Sequence, residues 1–205
     1  MPKVTSVEPQ KKNPHRFNVF LDGEFAFGAD EDLVVNYRLV PGKEILSEDL
    51  DQILFEAEVG KLMGRMYRLF NIRQRSEKEI RDYLTRLQFT PLVIDRTVEL
   101  LKKKGLINDL EFAKIWVEIR KKRKGARLIK FELKQKGISK EIIEEVLNLV
   151  INEEQVAKEI LERKLKAWKN LSNMEFRKKA TDFLMRRGFE YEVVKRIVEK
   201  FLQKG

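Results

Sequence analysis

The 205-residue chain has no cysteine, one histidine, ten glycines and five prolines. Without thiols there is no disulfide framework, thiolate metal site or cysteine nucleophile. So little glycine and proline leaves scant material for sheet turns or a disordered linker, and a mostly helical chain is expected. No run approaches the roughly 18 apolar residues of a membrane helix. The opening residues MPKVTSVEPQKKN lack the apolar core of a signal peptide. The reading is a soluble, cytoplasmic protein without a membrane partner.

Catalytic groups are equally scarce. His15 lies beside Arg16 in a β-prone segment, where a surface or packing role outweighs that of a base. There is no glycine-rich phosphate loop and no carboxylate set with metal-ligand spacing. Glu141 and Glu145 stand one helical turn apart and read as a solvated face, with Glu144 beside them. Glu153 and Glu154 open the next helix, where acid suits the positive dipole end. The expectation is a non-enzyme with no metal and no cofactor; a metal-dependent nuclease is the enzymatic alternative.

What the chain has in excess is charge. Charged residues make up 37% and apolar ones 42%, a balance that suggests much surface per residue, as in an elongated or repeat-built body. The charge is uneven. Residues 1–57 hold 6 Lys and Arg against 11 Asp and Glu, net −5, and residues 58–205 hold 37 against 22, net +15. An acidic head on a basic body points to a polyanionic partner for the body, because so much like charge repels itself. The head is expected to be dispensable for DNA contact.

The head reads as strand at 3–7, 16–21 and 24–27, with Asp22-Gly23 as a type I′ hairpin turn. Phe17, Phe20, Phe25 and Phe27 are expected to seal this hairpin against helices. A short helix is expected over 30–37. Ser47 is a plausible N-cap for a long helix running to about Arg73.

The remainder repeats. Ile80, Leu84 and Phe89 align with Ile129, Leu133 and Ile138 at an offset of 49, and these align with Ala180, Leu184 and Phe189 at 51. Ile94, Ile143 and Val194 keep the offsets, as do Val98, Leu147 and Val198. Each copy has a basic stretch and a break between two amphipathic helices. The break is Gly137 and Gly188 in the later copies, suiting a left-handed C-cap, but Gln88 in the first. Thr90-Pro91, Asn108 with Glu111, Ser139, and Ser172 with Glu175 read as helix starts. The divisions are an acidic extension 1–57 and three-helix repeats at 58–107, 108–151 and 152–205. Single repeats of this size bury little, so neighbours are expected to stack on one extended core. The fold class is mainly α: tandem three-helix repeats in an elongated curved array, with a small N-terminal β-hairpin extension.

The densest feature is 120–130, where Arg120, Lys121, Lys122, Arg123, Lys124, Arg127 and Lys130 make seven of eleven residues cationic. One or two charges would serve a helix C-terminus; five in succession exceed that need and point to phosphate or an acidic partner. Arg177, Lys178, Lys179, Arg186 and Arg187 form a second candidate surface in the third repeat. Trp116, with Phe112 and Ile119 on nearly the same face, reads as core rather than as a base-stacking platform.

The stretch Asp109-Leu110-Glu111-Phe112-Ala113 with Trp116, followed by Arg120, Gly125, Ile129, Glu132-Leu133 and Lys136-Gly137-Ile138, resembles the central signature of the RecX family. Arg75-Ser76-Glu77, Ile80, Leu84 and Gly105-Leu106-Ile107 resemble its first repeat. The likeness covers about 58–205, and the head resembles the β-containing extension of some members; Gln88-Phe89 departs from the glycine of the other repeats. The resemblance implies tandem three-helix repeats that lodge along the groove of a RecA–single-stranded DNA filament. It implies restraint of filament growth, ATPase and strand exchange. Partners would be the RecA filament and single-stranded DNA, with double-stranded DNA a further candidate, and the protein a monomer. A general DNA-binding architectural protein that ignores RecA is the rival reading.

Overall fold

A computed structural model of the protein describes residues 1–11, 13–150 and 152–203, without the side chains of 149 and 150. The helix and repeat ends expected at 151 and 205 lie outside the described residues. No helix among them is long and apolar enough to cross a membrane.

The chain opens with an antiparallel sheet in the order β1 (Val4–Gln10), β2 (Asn13–Leu21) and β3 (Glu24–Asp30). Asp22 and Gly23 both take positive φ, 49° and 90°, as the expected I′ turn requires. Asp30 then caps α1 (Glu31–Asn36), its side chain accepting from the Leu33 amide. Next comes α2 (Ser47–Ile72), 26 residues long and continuous through Gly60 and Gly64. Its N-cap is Leu46, not Ser47, which lies one residue inside the helix.

The helices that follow are α3 (Glu77–Arg86), α4 (Pro91–Lys103), α5 (Asp109–Arg120), α6 (Ala126–Gln135), α7 (Lys140–Val150), α8 (Glu153–Trp168), α9 (Asn173–Arg186) and α10 (Tyr191–Leu202). With α2 they give helix triplets α2–α4, α5–α7 and α8–α10. Caps set the starts: Asn108 accepts from the Glu111 amide, and Ser172 and Glu175 form a reciprocal capping box. The middle helix of every triplet ends in the same turn. The amides of Phe89, Ile138 and Phe189 reach back five residues to the carbonyls of Leu84, Leu133 and Leu184. Those of Gln88, Gly137 and Gly188 reach back three, to Thr85, Lys134 and Met185. This is the Schellman pattern, and its left-handed residue has φ of 62°, 79° and 84° in turn. Gln88 therefore makes the turn that glycine makes elsewhere.

Two compact units result, one of Met1–Gln74 with Ile80–Ile107 and one of Arg75–Glu79 with Asn108–Gly205. In the first unit, Val4, Val19, Phe27, Ala29 and Leu33 pack on Ile53 and Ala57 of α2. Farther along α2, Leu62, Met66 and Phe70 pack with Ile80, Leu84, Val98 and Leu101. In the second unit, Phe112, Val117, Ile129, Leu133 and Ile143 form one core, and Leu161, Ala180, Leu184, Phe189 and Val198 another. The expected single extended core is thus replaced by separate ones, the two of the first unit sharing α2.

Within the second unit the triplets are joined through backbone. The first N–H groups of a helix have no partner in it. For α6, Gly125 donates to the Arg187 carbonyl at 2.9 Å and Arg127 to that of Gly188 at 3.1 Å, while Ala126 donates to the Glu153 carboxylate. The start of α6 is therefore satisfied by the turn after α9. At the position 49 residues earlier, the buried Ser76 hydroxyl donates to the Lys136 carbonyl at 2.7 Å, beside the turn after α6.

Candidate nucleic-acid interface

The basic stretch begins on the last residue of α5. Arg120 closes the helix, and 121–124 form the turn to Gly125 and α6, so most of the cations lie beyond the helix rather than in its final turn. Glu132 of α6 organises this corner. Its carboxylate accepts from the Trp116 indole at 3.0 Å, pairs with Lys124 and lies 3.7 Å from the Arg120 Nε. Trp116 is half-buried and stacked on Phe112 at 5.6 Å, with Arg120 over its ring at 4.6 Å and Lys136 at 5.4 Å. It belongs to the second triplet's packing, as expected, but Ile119 is 65% exposed and does not join it.

The remaining cations divide by what they touch. Lys121 pairs with Glu118 at 2.6 Å and Lys130 with Glu144 at 3.8 Å. Arg127 donates to the Met185 carbonyl and Arg187 to that of Arg123, both at 3.1 Å, so these two brace the joint between triplets. Arg187 also stands over Phe183 at 4.4 Å and Lys179 over Trp168 at 5.4 Å. Among the described residues, Lys122, Arg123, Arg177, Lys178 and Arg186 have no ion pair or side-chain hydrogen bond, and all five are exposed.

Half-burial pushes the Glu153 carboxyl above the ordinary carboxylate range, against the opposing pull of the Ala126 and Glu190 amides. The same residue that completes the α6 terminus thus titrates higher than a free glutamate. Glu175, hydrogen-bonded in the capping box by Ser172, is held lower.

A further set of cations escaped the sequence reading. Arg16 of β2 and Lys61, Arg65 and Arg68 of α2 line one groove of about 760 Å³ with Phe25 and Phe89. The spacing of 61, 65 and 68 was the available signal, since those positions share a helix face. Only Arg16 was hidden by the net −5 of residues 1–57; the other three were counted in the basic body, a sum that says nothing about where the charges sit. Phe25 departs from its expected sealing role: it is 59% exposed, whereas Phe27 is buried. A register shift between Val19 and Phe20 pairs Phe20 with Phe25 but Val19 with Phe27, breaking the alternation that would have sent both rings inward.

The chain matches family descriptions over three stretches: "Regulatory protein RecX N-terminal domain" over 2–46, "RecX, second three-helix domain" over 108–147 and "RecX, third three-helix domain" over 152–198. It is 36% identical over 204 residues to the regulatory protein RecX of Bacillus velezensis, covering 98% of this chain and 78% of that one. It is 34% identical over 206 residues to that of Clostridium beijerinckii, covering 98% and 97%. A crystal structure of regulatory protein RecX superposes with a TM-score of 0.81 at 25% identity, over 97% of this chain and all of the other. The RecX structure from Lactobacillus salivarius gives 0.65 at 24% identity, over 72% and 97%, and bears on the fold alone.

Proposed function

Because the chain belongs to the RecX family of regulatory proteins, we propose that it binds a RecA–single-stranded DNA filament and restrains its growth, ATPase and strand exchange. The observation that carries this reading is the exposed pair Lys122 and Arg123, on a turn whose neighbouring cations are fixed by Glu132, Glu118 and backbone carbonyls. Fixed neighbours hold the turn, and unpaired cations at its tip meet phosphate without first breaking an internal pair. Arg177, Lys178 and Arg186 extend the surface onto α9. The corner offers positive charge whose carboxylates, Glu132 and Glu118, are engaged in pairs with its own cations, an arrangement that favours a binding regulator. Work in the cytoplasm as a monomer belongs to the same proposal.

The test is RecA ATPase on single-stranded DNA, titrated with this protein. Turnover should fall as the protein approaches stoichiometry with filament. A plain architectural DNA binder would instead bind naked DNA and filament alike and lower turnover only by competing for DNA, an effect that excess DNA reverses.

A further inference from the structure

The groove between β3 and α2 joins one cation of the acidic head, Arg16, to three of α2 that lie beyond the head. Its cationic lining, Arg16, Lys61, Arg65 and Arg68, is opposed there by one carboxylate, Glu58. Arg16 donates to the Gly28 carbonyl at 3.1 Å and Arg65 stands over the Tyr83 ring at 5.2 Å, so both are held in place. Lys61 and Arg68 are exposed and, among the described residues, carry no ion pair. Beside them Phe25 projects into solvent, steadied edge-to-face by Phe20 at 5.9 Å, and Leu54 and Phe89 complete an apolar floor.

Cations in a row beside an exposed aromatic ring form the arrangement that binds single strands, phosphates along the row and a base on the ring. An acidic peptide would use the cations but has no need of the ring. We propose that this groove is a second single-stranded DNA site, in which Lys61 and Arg68 take phosphates and Phe25 stacks a base. The inference rests on the reading above that the protein works on DNA, and through Phe25 it gives the head a part in DNA contact, against the expectation that the head is dispensable for it.

The experiment uses the full chain and a fluorescent oligothymidylate of about 20 nucleotides, longer than a single short binding groove requires, with no RecA present. A second oligonucleotide carrying 2-aminopurine reports stacking directly. Phe25→Leu keeps the apolar surface but removes the ring, and should weaken binding by about 5- to 150-fold, the worth of one stacked base. Phe25→Trp should restore both affinity and 2-aminopurine quenching. The double variant Lys61→Glu/Arg68→Glu should lower the magnitude of the log–log salt slope by about 1.4, two contacts at roughly 0.7 each. Thermal melts of each variant by circular dichroism show that the fold is kept.

Phe25→Leu and Lys61→Glu/Arg68→Glu binding as tightly as the parent, while Lys122→Glu/Arg123→Glu binds less, would overturn the second site and leave the proposed function standing. A parent chain that binds no oligonucleotide would overturn the second site alone, since the proposed function is tested on the filament. If polyglutamate competes as well as oligothymidylate does, and Phe25→Leu leaves the two unchanged, the groove takes acidic chains in general and the assignment to DNA fails.

Discussion

A methyl group on Gly125 would lie 2.5 Å from the carbonyl oxygen of Gly188, and equally close to the backbone of Phe189. Both obstacles are backbone, so neither can swing aside. The approach is needed for the Gly125 amide to reach the Arg187 carbonyl. Gly125→Ala should therefore cost at least about 1–3 kcal/mol, the range for overpacking a close-fitted contact. Gly64 in α2 is the control, because a methyl there meets nothing within 4 Å. Gly64→Ala should raise stability by up to about 1 kcal/mol through helix propensity alone. Urea unfolding of both variants checks the pair, and equal effects would mean the α6–α9 joint is not as tight as described.

Leu133 is fully buried in the second triplet's core, with Ile129, Ile138 and Ile143. Leu133→Ala should destabilise by about 2–5 kcal/mol. Because Phe112, Val117 and their neighbours form a core distinct from that around Leu184, the loss should first loosen α5–α7 in hydrogen exchange. Uniform loosening of both triplets would contradict separate cores.

Of the basic corner's cations, Lys122 and Arg123 are the ones to reverse. Lys122→Glu/Arg123→Glu should leave the melting temperature unchanged and lower the magnitude of the filament-binding salt slope by about 1.4. Lys124→Glu is a different experiment, since it would set a second carboxylate against half-buried Glu132. It should lower the melting temperature, and any loss of binding by it says less about phosphate.

Glu153 provides a pH signature. Its folded pKa is raised by burial above the unfolded value, so the stability it contributes is present below the ordinary carboxylate range. That contribution is lost as pH rises through the raised value. Glu153→Gln keeps an oxygen to accept from Ala126 and cannot ionise. It should melt above the parent at neutral pH, with the gap closing near pH 4, around the ordinary glutamate value. A gap of the same size at both pH values would trace the change to packing instead.

Much of the helical fold was legible because apolar positions recur at fixed offsets, and Leu84, Leu133 and Leu184 are each fully buried. Hairpin chemistry at Asp22-Gly23 and the Ser172–Glu175 box were equally readable, since both are local. What sequence spacing could not show is contact between distant residues. The bond between Ser76 and Lys136 spans 60 positions, and the division of the basic run into fixed and unpaired cations depends on Glu132 and Met185. The exposure of Phe25 turns on one register shift in the sheet, which composition does not announce.

The left-handed turns bear on how long such a chain of triplets can grow. A side chain at Gly137 would strike Lys78, and one at Gly188 would strike Leu128, because in each case the start of an earlier helix rests on the turn. At Gln88 the turn is exposed and a side chain is tolerated. To seat another triplet after the third, the counterpart of Ser76 and Gly125 would have to be small. By the same offsets that counterpart is Phe176, a buried ring set against Trp168 at 6.2 Å, and α9 already runs past it from Asn173. A helix turn packed there as the turn after α9 packs on Gly125 would meet the Phe176 ring instead of a hydrogen atom.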